Sequence, residues 1–311
     1  MPKLEGKIAV VAGATRGAGR GIACMLGEAG ATVYCTGRST RQQPASVGPY
    51  AGRPESIEET AEMVTSHGGQ GIAVRTDHLV EEQVSALFER VEREQGRLDI
   101  LVNDISEGEW HDWRPFWNVS LEKGFRALRQ GVHTHIITSC RAAPLMIKHR
   151  SGLIVEIGDG DTLSYRGTLF YDLVKTCVNR FAFAMACELR KYNVAALAVT
   201  PGYMRTEAML DHFGVTEANW RDGARKDKLF LQSETPYFVG RAIAALAADP
   251  RVIIKSGGLY SSWTLAREYG FTDVDGATPD LGKHLRKLKA RKDSPELGFR
   301  WTISAAESND G

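Results

Sequence analysis

Short, continuously apolar segments alternate with longer amphipathic segments along most of this 311-residue chain. Strands that are apolar on both faces are typical of parallel sheets covered by helices. The alternation therefore predicts an α/β fold, a doubly wound parallel sheet of about seven strands with helices on both faces. The segments that predict strands are Ile8–Ala12, Thr32–Thr36, Ile72–Arg75, Ile100–Val102, Leu153–Ile157, Ala195–Val199 and Leu259–Tyr260.

The amphipathic segments between these strands predict helices. In the predicted helix Asp172–Tyr192, apolar residues recur every four positions from Leu173 to Leu189, so we expect that face to pack on the sheet. Ser39–Pro54 is rich in Pro, Gly, Ser and Arg and predicts a long loop. Asp273–Gly311 is polar and predicts a C-terminal extension that either wraps the domain or crosses to a partner subunit. The predicted helices are Arg20–Glu28, Ile57–His67, Glu81–Gln95 and Asp172–Tyr192.

A glycine-rich turn joins the first predicted strand to the first predicted helix. Glycines let the backbone turn tightly and approach a phosphate, and a helix N-terminus offers free N–H groups to an anion. The spacing G-x-x-x-G-x-G after the first strand of an α/β pattern predicts a dinucleotide site on a Rossmann-type sheet. The residues expected to form it are Gly13, Thr15, Arg16, Gly17, Ala18 and Gly19.

The end of the second predicted strand carries Arg38 and Ser39. A site for NAD would place an acidic residue here to bind the ribose 2′-hydroxyl. Guanidinium groups from Arg38 and Arg16 would instead bind a 2′-phosphate. The sequence therefore predicts NADP(H) as the cofactor, with the alternative that Arg38 is an ordinary surface residue at a strand end.

Tyr171 and Lys175 open the long helix that follows the fifth predicted strand. Positions four apart lie on one helix face, so both side chains can point into one cleft. A nearby ammonium is expected to lower the phenol pKa from its usual value of about 10. Such a tyrosine can give a proton to a carbonyl oxygen while hydride arrives on the carbon.

With these two motifs, the chain resembles the short-chain dehydrogenase/reductase family over roughly 4–269. The resemblance implies a nicotinamide-dependent oxidoreductase in which Tyr171 is the acid and base and Lys175 binds the ribose. It implies a catalytic domain over 1–270, a substrate lid over 207–234 and a homodimer or homotetramer. Further cofactor contacts implied by matching motif positions or their neighbours are Asp77, His78, Asn103, Pro201, Gly202 and Thr206.

The chain departs from the family pattern at three places. Asp104 follows Asn103 where the family has a second Asn, and Gly131 stands where it carries a catalytic Asn. Asp159 best matches the position of the family's catalytic Ser, while Thr162, Ser164 or Tyr165 could supply the hydroxyl from the following loop.

An ionised Asp159 cannot donate a hydrogen bond to a carbonyl oxygen. It would repel a developing oxyanion unless protonated, and it could instead favour a cationic substrate such as an iminium. Asp104, Glu107 and Asp161 could add to a negative edge. The alternative is that Asp159 binds backbone N–H groups and only shapes the loop.

A run of large aromatic residues from Trp110 to Trp117 follows the fourth predicted strand, at the edge where α/β sheets bind ligands. These side chains either wall a substrate pocket or pack against the extension or a partner subunit. His111 and Asp112 are adjacent, and we predict no metal site because further ligands are missing.

Composition excludes several classes of function. The 39 Lys and Arg residues nearly balance 38 Asp and Glu residues, a net charge of +1 that does not favour nucleic-acid binding. The basic run at 284–292 is interpreted as a solvated helix face. No apolar stretch approaches the roughly 18 residues of a membrane span. Five widely spaced cysteines without C-x-x-C predict reduced thiols and a cytoplasmic location.

The sequence therefore predicts a cytoplasmic, NADP(H)-dependent oxidoreductase that acts on a small or medium ketone or aldehyde. The predicted catalytic residues are Tyr171 as proton donor, Lys175 and Asp159. Two alternatives stay open: reduction of an imine, an iminium or an activated alkene, and an NADP(H)-binding regulatory protein with impaired catalysis. Nucleic acid and membrane are not expected as partners.

Overall fold

Seven strands pair in parallel into one sheet in the order β3-β2-β1-β4-β5-β6-β7. The computed structural model describes residues 3–45, 50–106, 114–162 and 165–289. The strand order reverses direction between β1 and β4, which opens a crevice at the carboxyl edge of the sheet. The strands are β1 (Ile8–Ala12), β2 (Thr32–Gly37), β3 (Gln70–Arg75), β4 (Ile100–Asn103), β5 (Gly152–Ile157), β6 (Val194–Thr200) and β7 (Leu259–Ser261).

Helices cover both faces of this sheet. One face packs against α1, α2, α8 and α9, and the other packs against α3, α5 and α6. Short 3₁₀ segments connect several elements. The helices are α1 (Gly17–Glu28), α2 (Ile57–Ser66), α3 (Glu81–Gln95), α4 (Leu121–Leu128), α5 (Thr134–His149), α6 (Leu169–Leu189), α7 (Glu207–Phe213), α8 (Pro236–Ala248), α9 (Ser262–Tyr269) and α10 (Leu281–Lys289).

Strand β1 shows why the strands are apolar throughout. Ala9 and Val11 pack into the core on the α1 side, while Ile8 and Val10 pack into the core on the α3 side. All four are at most 5% exposed. Because side chains alternate across a strand, only a continuously apolar strand can fill both cores. The predicted doubly wound parallel sheet is confirmed.

The predicted apolar face of α6 was wrong over its first half. Leu173 is 40% exposed, whereas Val174 and Val178 are buried. An α-helix completes one turn every 3.6 residues, so side chains spaced exactly four residues apart shift gradually around the helix axis. Met185 and Leu189, at the far end of the predicted stripe, lie in the buried face, and Phe181 packs against the same core while partly exposed.

The lid and extension segments pack on the rest of the chain in different ways. The predicted lid contains α7 and two 3₁₀ turns around a small core of Phe213, Trp220 and Phe230. The described part of the extension wraps its own chain, because Asp273 accepts hydrogen bonds from the backbone N–H and the hydroxyl of Thr235. Residues 290–311 lie outside the described residues, and the boundary at residue 270 stays a prediction.

All five cysteines, at 24, 35, 140, 177 and 187, are free thiols. Burial raises the pKa of Cys24 to about 12, which makes this thiol unreactive. No helix within the described ranges is both long and apolar enough to cross a membrane.

Candidate active site

A cleft with a cavity of about 310 Å³ opens at the carboxyl edge of the sheet, where the strand order reverses. It brings together most of the side chains that the sequence predicted for the site. Asn103 and Gly19 lie outside its lining. The predicted residues that line it are Gly13, Thr15, Arg16, Gly17, Ala18, Arg38, Ser39, Asp77, His78, Asp159, Tyr171, Lys175, Pro201, Gly202 and Thr206.

The glycine turn folds so tightly that Gly13 and Gly19 cannot carry side chains. Gly13 has φ +93°, and a Cβ there would lie 2.6 Å from the Asp104 carbonyl oxygen. A Cβ on Gly19 would lie 2.2 Å from the carbonyl oxygen of Gly13. Gly19 therefore supports the turn from below, and the backbone at the start of α1 stays open to a ligand.

The first turn of α1 binds a carboxylate of the same chain, that of Glu207. The N–H of Gly17 donates a hydrogen bond of 3.0 Å to Glu207 Oε2, and Glu207 Oε1 lies 3.5 Å from Arg20 Nη1. Free N–H groups and the helix dipole stabilise negative charge at this position. The sequence analysis missed Glu207, because the contact joins residues 190 positions apart.

Two arginines reach the cleft from different elements. The Arg16 guanidinium stacks 4.5 Å over the Tyr50 ring and donates from Nε to Glu55 Oε2 at 3.3 Å. Its Nη2 is buried and finds no hydrogen-bond partner in the described part of the chain. Arg38 is exposed, and no carboxylate among the described residues pairs with it. Cationic donors are thus available to an anionic ligand.

Tyr171 contacts Asp159 directly. Its hydroxyl donates a hydrogen bond of 2.6 Å to Asp159 Oδ2, and Lys175 Nζ donates at 3.3 Å to the carbonyl oxygen of Ile157. Burial, followed by the charge and the hydrogen bond of Asp159, raises the Tyr171 pKa well above its usual value. The expected lowering by Lys175 was wrong: the phenol holds its proton at neutral pH.

Arg166 holds the Asp159 loop in place. Its Nε donates to the backbone carbonyl of Asp159 at 2.6 Å, and its Nη1 contacts Asp172 Oδ1 at 3.1 Å. The guanidinium therefore fixes the loop to the first turn of α6, beside Tyr171. Sequence reasoning missed Arg166 because no motif marks it.

Thr162, Ser164 and Tyr165 are the other candidates to replace the hydroxyl of the family's catalytic Ser. The Thr162 carbonyl accepts a hydrogen bond from Arg166. Tyr165 is 65% exposed, and Ser164 lies outside the described residues. Asp159 is the candidate whose side chain contacts Tyr171.

Gly131 lies in a π-helical turn, Arg129–His133, between α4 and α5. A Cβ at Gly131 would lie 2.5 Å from Val174 Cγ1, so the family's Asn would fit here only if the Val174 side chain shifted. The neighbouring Gln130 lines the cleft instead. The π turn places Gln130 at the site, an effect that the sequence analysis missed.

Asn103 and His78 are predicted cofactor contacts, but the hydrogen bonds of both side chains are made within the protein. Asn103 is fully buried and donates to Glu156 Oε1 at 2.7 Å, so its side chain supports the cleft from beneath. The His78 ring lies 2.8 Å from the hydroxyl oxygens of Thr36 and Thr138. Burial lowers its pKa to about 3, so this ring is neutral.

The negative edge is described only in part. Burial raises the pKa of Asp104, which lines the cleft, to about 6. Glu107, His111 and Asp112 lie outside the described residues, as does the first half of the aromatic run; its Phe116 and Trp117 are exposed. Within the described ranges, no group of three His, Cys, Asp or Glu side chains could hold a metal ion.

Comparison with known proteins decides the family. Residues 7–213 match the family described as short chain dehydrogenase. The chain belongs to this family. It is 35% identical over 279 residues to human Dehydrogenase/reductase SDR family member 1, covering 88% of this chain and 85% of the relative. It is 32% identical over 207 residues to the 3-oxoacyl-[acyl-carrier-protein] reductase of Aquifex aeolicus, covering 66% and 77%.

Solved structures show the same fold. A short chain dehydrogenase from Mycobacterium thermoresistibile superposes with a TM-score of 0.74 at 22% identity, covering 90% of this chain and 93% of that one. A hydroxysteroid dehydrogenase from Escherichia coli superposes with a TM-score of 0.64 at 23% identity, covering 84% and 96%. Both comparisons support the Rossmann-type architecture of this dehydrogenase.

This short chain dehydrogenase is an oxidoreductase, and its family uses a nicotinamide cofactor, NAD or NADP. The residues of the cleft fit such a group. The close backbone approach at Gly13 and Gly19 excludes side chains from these two positions of the turn, and the buried Arg16 Nη2 is available to an anionic oxygen. Lys175 and Tyr171 line the same cleft.

Proposed function

We propose that this short chain dehydrogenase reduces a ketone or aldehyde with NADPH, and that Tyr171 donates the proton. One observation carries the proposal: the Tyr171 phenol faces the same cleft as the glycine turn and keeps its proton. A protonated phenol in this cleft can give its proton to a carbonyl oxygen, which is the role that reduction requires.

The charges of the residues near Arg16 and Arg38, where the adenosine ribose of the cofactor would bind, support NADP(H). Glu55 is the acid next to Arg16, but Arg53 also binds it with Nε at 3.1 Å and Nη2 at 2.6 Å. Arg53 also pairs with Asp211 at 2.7 Å, so Arg53 and Arg16 share Glu55 and Asp211, and Arg38 remains as excess positive charge. Two guanidiniums favour a 2′-phosphate over a 2′-hydroxyl.

The bound cofactor supplies hydride to the substrate carbon. Tyr171 gives its proton to the carbonyl oxygen, which prevents a free oxyanion from accumulating next to Asp159. Lys175, four residues along the same helix face, binds the ribose hydroxyls and adds positive charge near Tyr171. To give this proton, the Tyr171 O–H turns from Asp159 Oδ2 to the carbonyl oxygen, while Arg166 keeps Asp159 in place beside it.

Consumption of NADPH across a panel of ketones and aldehydes tests this function. We expect turnover in the wild type and a loss of about 10²- to 10⁴-fold in Tyr171→Phe, because a general acid contributes that much. Tyr192→Phe, at the far end of the same helical segment, is the matched control and keeps full activity. Undiminished turnover in Tyr171→Phe would show that another group is the acid.

A second function, reduction of an imine or iminium, is favoured by the position of Asp159. Its carboxylate lies 2.6 Å from the Tyr171 oxygen, where the family places a neutral hydroxyl. Such a charge attracts a cation and repels an oxyanion. A matched cyclic imine and ketone separate the two functions: faster imine turnover that Asp159→Asn abolishes supports it, and a faster ketone rate opposes it.

We also propose that the protein acts on small molecules as a homodimer or homotetramer in the cytoplasm, with 207–234 as its substrate lid. Exposed apolar side chains on α5 and α6, Ile136 and Leu173, support a face that packs against a second copy. Light scattering of the purified protein measures the number of subunits, and a monomer at micromolar concentration contradicts the assembly.

A further inference from the structure

Four buried polar side chains lie directly beneath the cleft, where both faces of a parallel sheet are normally apolar. Glu156 projects from β5, Asn103 ends β4, and His135 and Ser139 lie on α5. All four are at most 3% exposed. A buried carboxylate costs several kcal/mol unless it is paired and hydrogen-bonded, so its partners must compensate for this cost.

Every oxygen of Glu156 and both ring nitrogens of His135 have partners. Asn103 Nδ2 donates to Glu156 Oε1 at 2.7 Å and to Ser139 Oγ at 2.9 Å. Glu156 Oε2 lies 2.5 Å from His135 Nδ1. On its other side, His135 Nε2 lies 3.0 Å from the carbonyl oxygen of Ile105. The ring thus links the buried carboxyl to the backbone that follows β4.

These contacts determine where the protons lie. A backbone carbonyl only accepts hydrogen bonds, so His135 Nε2 carries a hydrogen and donates it to Ile105. One further proton lies between Nδ1 and the Glu156 carboxyl. The pair is neutral overall whether it is imidazolium with carboxylate or imidazole with carboxylic acid.

The tethered carbonyl belongs to the floor of the cleft. Ile105 and its neighbours Asp104 and Ser106 all line the cavity. The preceding carbonyl, that of Asp104, lies against Gly13 so closely that a Cβ there would approach it to 2.6 Å. A shift of this backbone would therefore move the surface beside the glycine turn.

We propose that His135 is a positioning residue that holds the Ile105 peptide at the floor of the cofactor cleft, and that Glu156 anchors its ring. This inference rests on the cleft of the proposed function as the binding site for a nicotinamide cofactor, and it requires neither the preference for NADP(H) nor a particular substrate.

Two variants at this pair separate positioning from packing. His135→Leu with Glu156→Leu removes both partners and leaves no lone buried charge. We expect a folded protein whose dissociation constants for NADPH and NADH both rise about three- to tenfold, the equivalent of one lost hydrogen bond. Glu156→Gln keeps an acceptor for Asn103 and offers a donor to Nδ1, so both constants should stay within about twofold of wild type.

Ser139→Ala is the matched control, because Ser139 contacts Asn103 but not Ile105, and it should bind both cofactors as the wild type does. A folded double Leu variant with unchanged dissociation constants would overturn the proposal. Nitrogen-15 NMR of the ring is independent of that variant's folding. It should show Nε2 protonated in the wild type and in Glu156→Gln, and an Nε2 without hydrogen would overturn the tether. A wild type that binds neither cofactor contradicts the proposed function, while the NMR result still tests His135.

Discussion

Asp159 gives this protein a carboxylate beside the phenol that we propose as its acid, and a single substitution can test the consequence. Asp159→Ser replaces the charge with the family's hydroxyl, which can donate to a carbonyl oxygen. A negative charge about 4 Å from a developing oxyanion costs about 1–4 kcal/mol at the dielectric of water or of a protein surface. Carbonyl turnover should therefore rise about tenfold, as measured by NADPH oxidation.

Asp161→Ser, in the same loop, controls for a general change in loop charge and should leave the rate unaltered. If both variants turn over carbonyl substrates at the wild-type rate, Asp159 only shapes the loop.

Arg38 should decide between the two cofactors. Arg38→Ala removes a charge-assisted contact worth about 1.5–3 kcal/mol, so the NADPH dissociation constant should rise about 10- to 100-fold while that for NADH stays constant. Titration of cofactor fluorescence measures both constants. Arg75→Ala, at the carboxyl end of neighbouring β3, serves as the control. Equal weakening of NADPH and NADH by Arg38→Ala would refute the 2′-phosphate contact.

At the scale of an element, the π turn between α4 and α5 contains Gly131, the position predicted to match the family's catalytic Asn. Gly131→Asn should fail to restore the family pattern, because its Cβ would meet Val174 Cγ1 at 2.5 Å. Overpacking of this kind lowers the free energy of unfolding by about 1–3 kcal/mol. Denaturant unfolding should show this loss and its partial recovery in Gly131→Asn with Val174→Ala. A Gly131→Asn variant as stable as the wild type would show that α6 yields freely.

The strands were predictable and the helix faces less so, for a physical reason. A strand buried on both faces is apolar at every position, and Glu156 is a rare exception inside β5. The face on which a helical residue lies depends on its angle around the helix axis, and small errors in the assumed spacing add up along the helix. For this reason Leu173 of α6 was predicted to be buried but is exposed. The start of α1 at Gly17, rather than Arg20, also escaped the sequence analysis, because glycines in the first turn hide the helix pattern.

At the scale of the whole molecule, Glu234 links the segment Pro201–Gly202 to α9. It is buried, accepts a hydrogen bond from Ser262 Oγ at 2.7 Å, and has its pKa raised to about 8, mainly by burial. The folded chain therefore keeps this proton up to about pH 8, while the unfolded chain loses it near the ordinary value of 4.5. The contribution to stability is present at low pH and is lost as the pH rises through this interval.

Glu234→Gln should remove this pH dependence. Denaturant unfolding between pH 5 and pH 8 should show a smaller fall in the free energy of unfolding for Glu234→Gln than for the wild type. Glu188→Gln, an exposed substitution, should retain the wild-type fall. Identical slopes in the wild type and Glu234→Gln would mean that Glu234 is ionised in the folded chain.

Motifs close together in the sequence predicted much of the candidate site. Tyr171 with Lys175 and the glycine turn each lie within a few residues, so their spacing carries their geometry. The contacts that tune the site join distant segments: Glu207 reaches Gly17 across 190 positions, and Glu156 reaches Asn103 across 53. Only the folded chain brings such partners together, and only the folded chain buries Tyr171, which is the main cause of its raised pKa.

Transfer of deuterium from NADPH labelled at the hydride position to a carbonyl substrate tests the central claim most directly. The wild type should place the label on the new alcohol carbon. Tyr171→Phe should bind NADPH with an unchanged dissociation constant but transfer the label about 10²- to 10⁴-fold more slowly. Label transfer at the wild-type rate by Tyr171→Phe, or no transfer by the wild type to any carbonyl of the panel, would contradict the account.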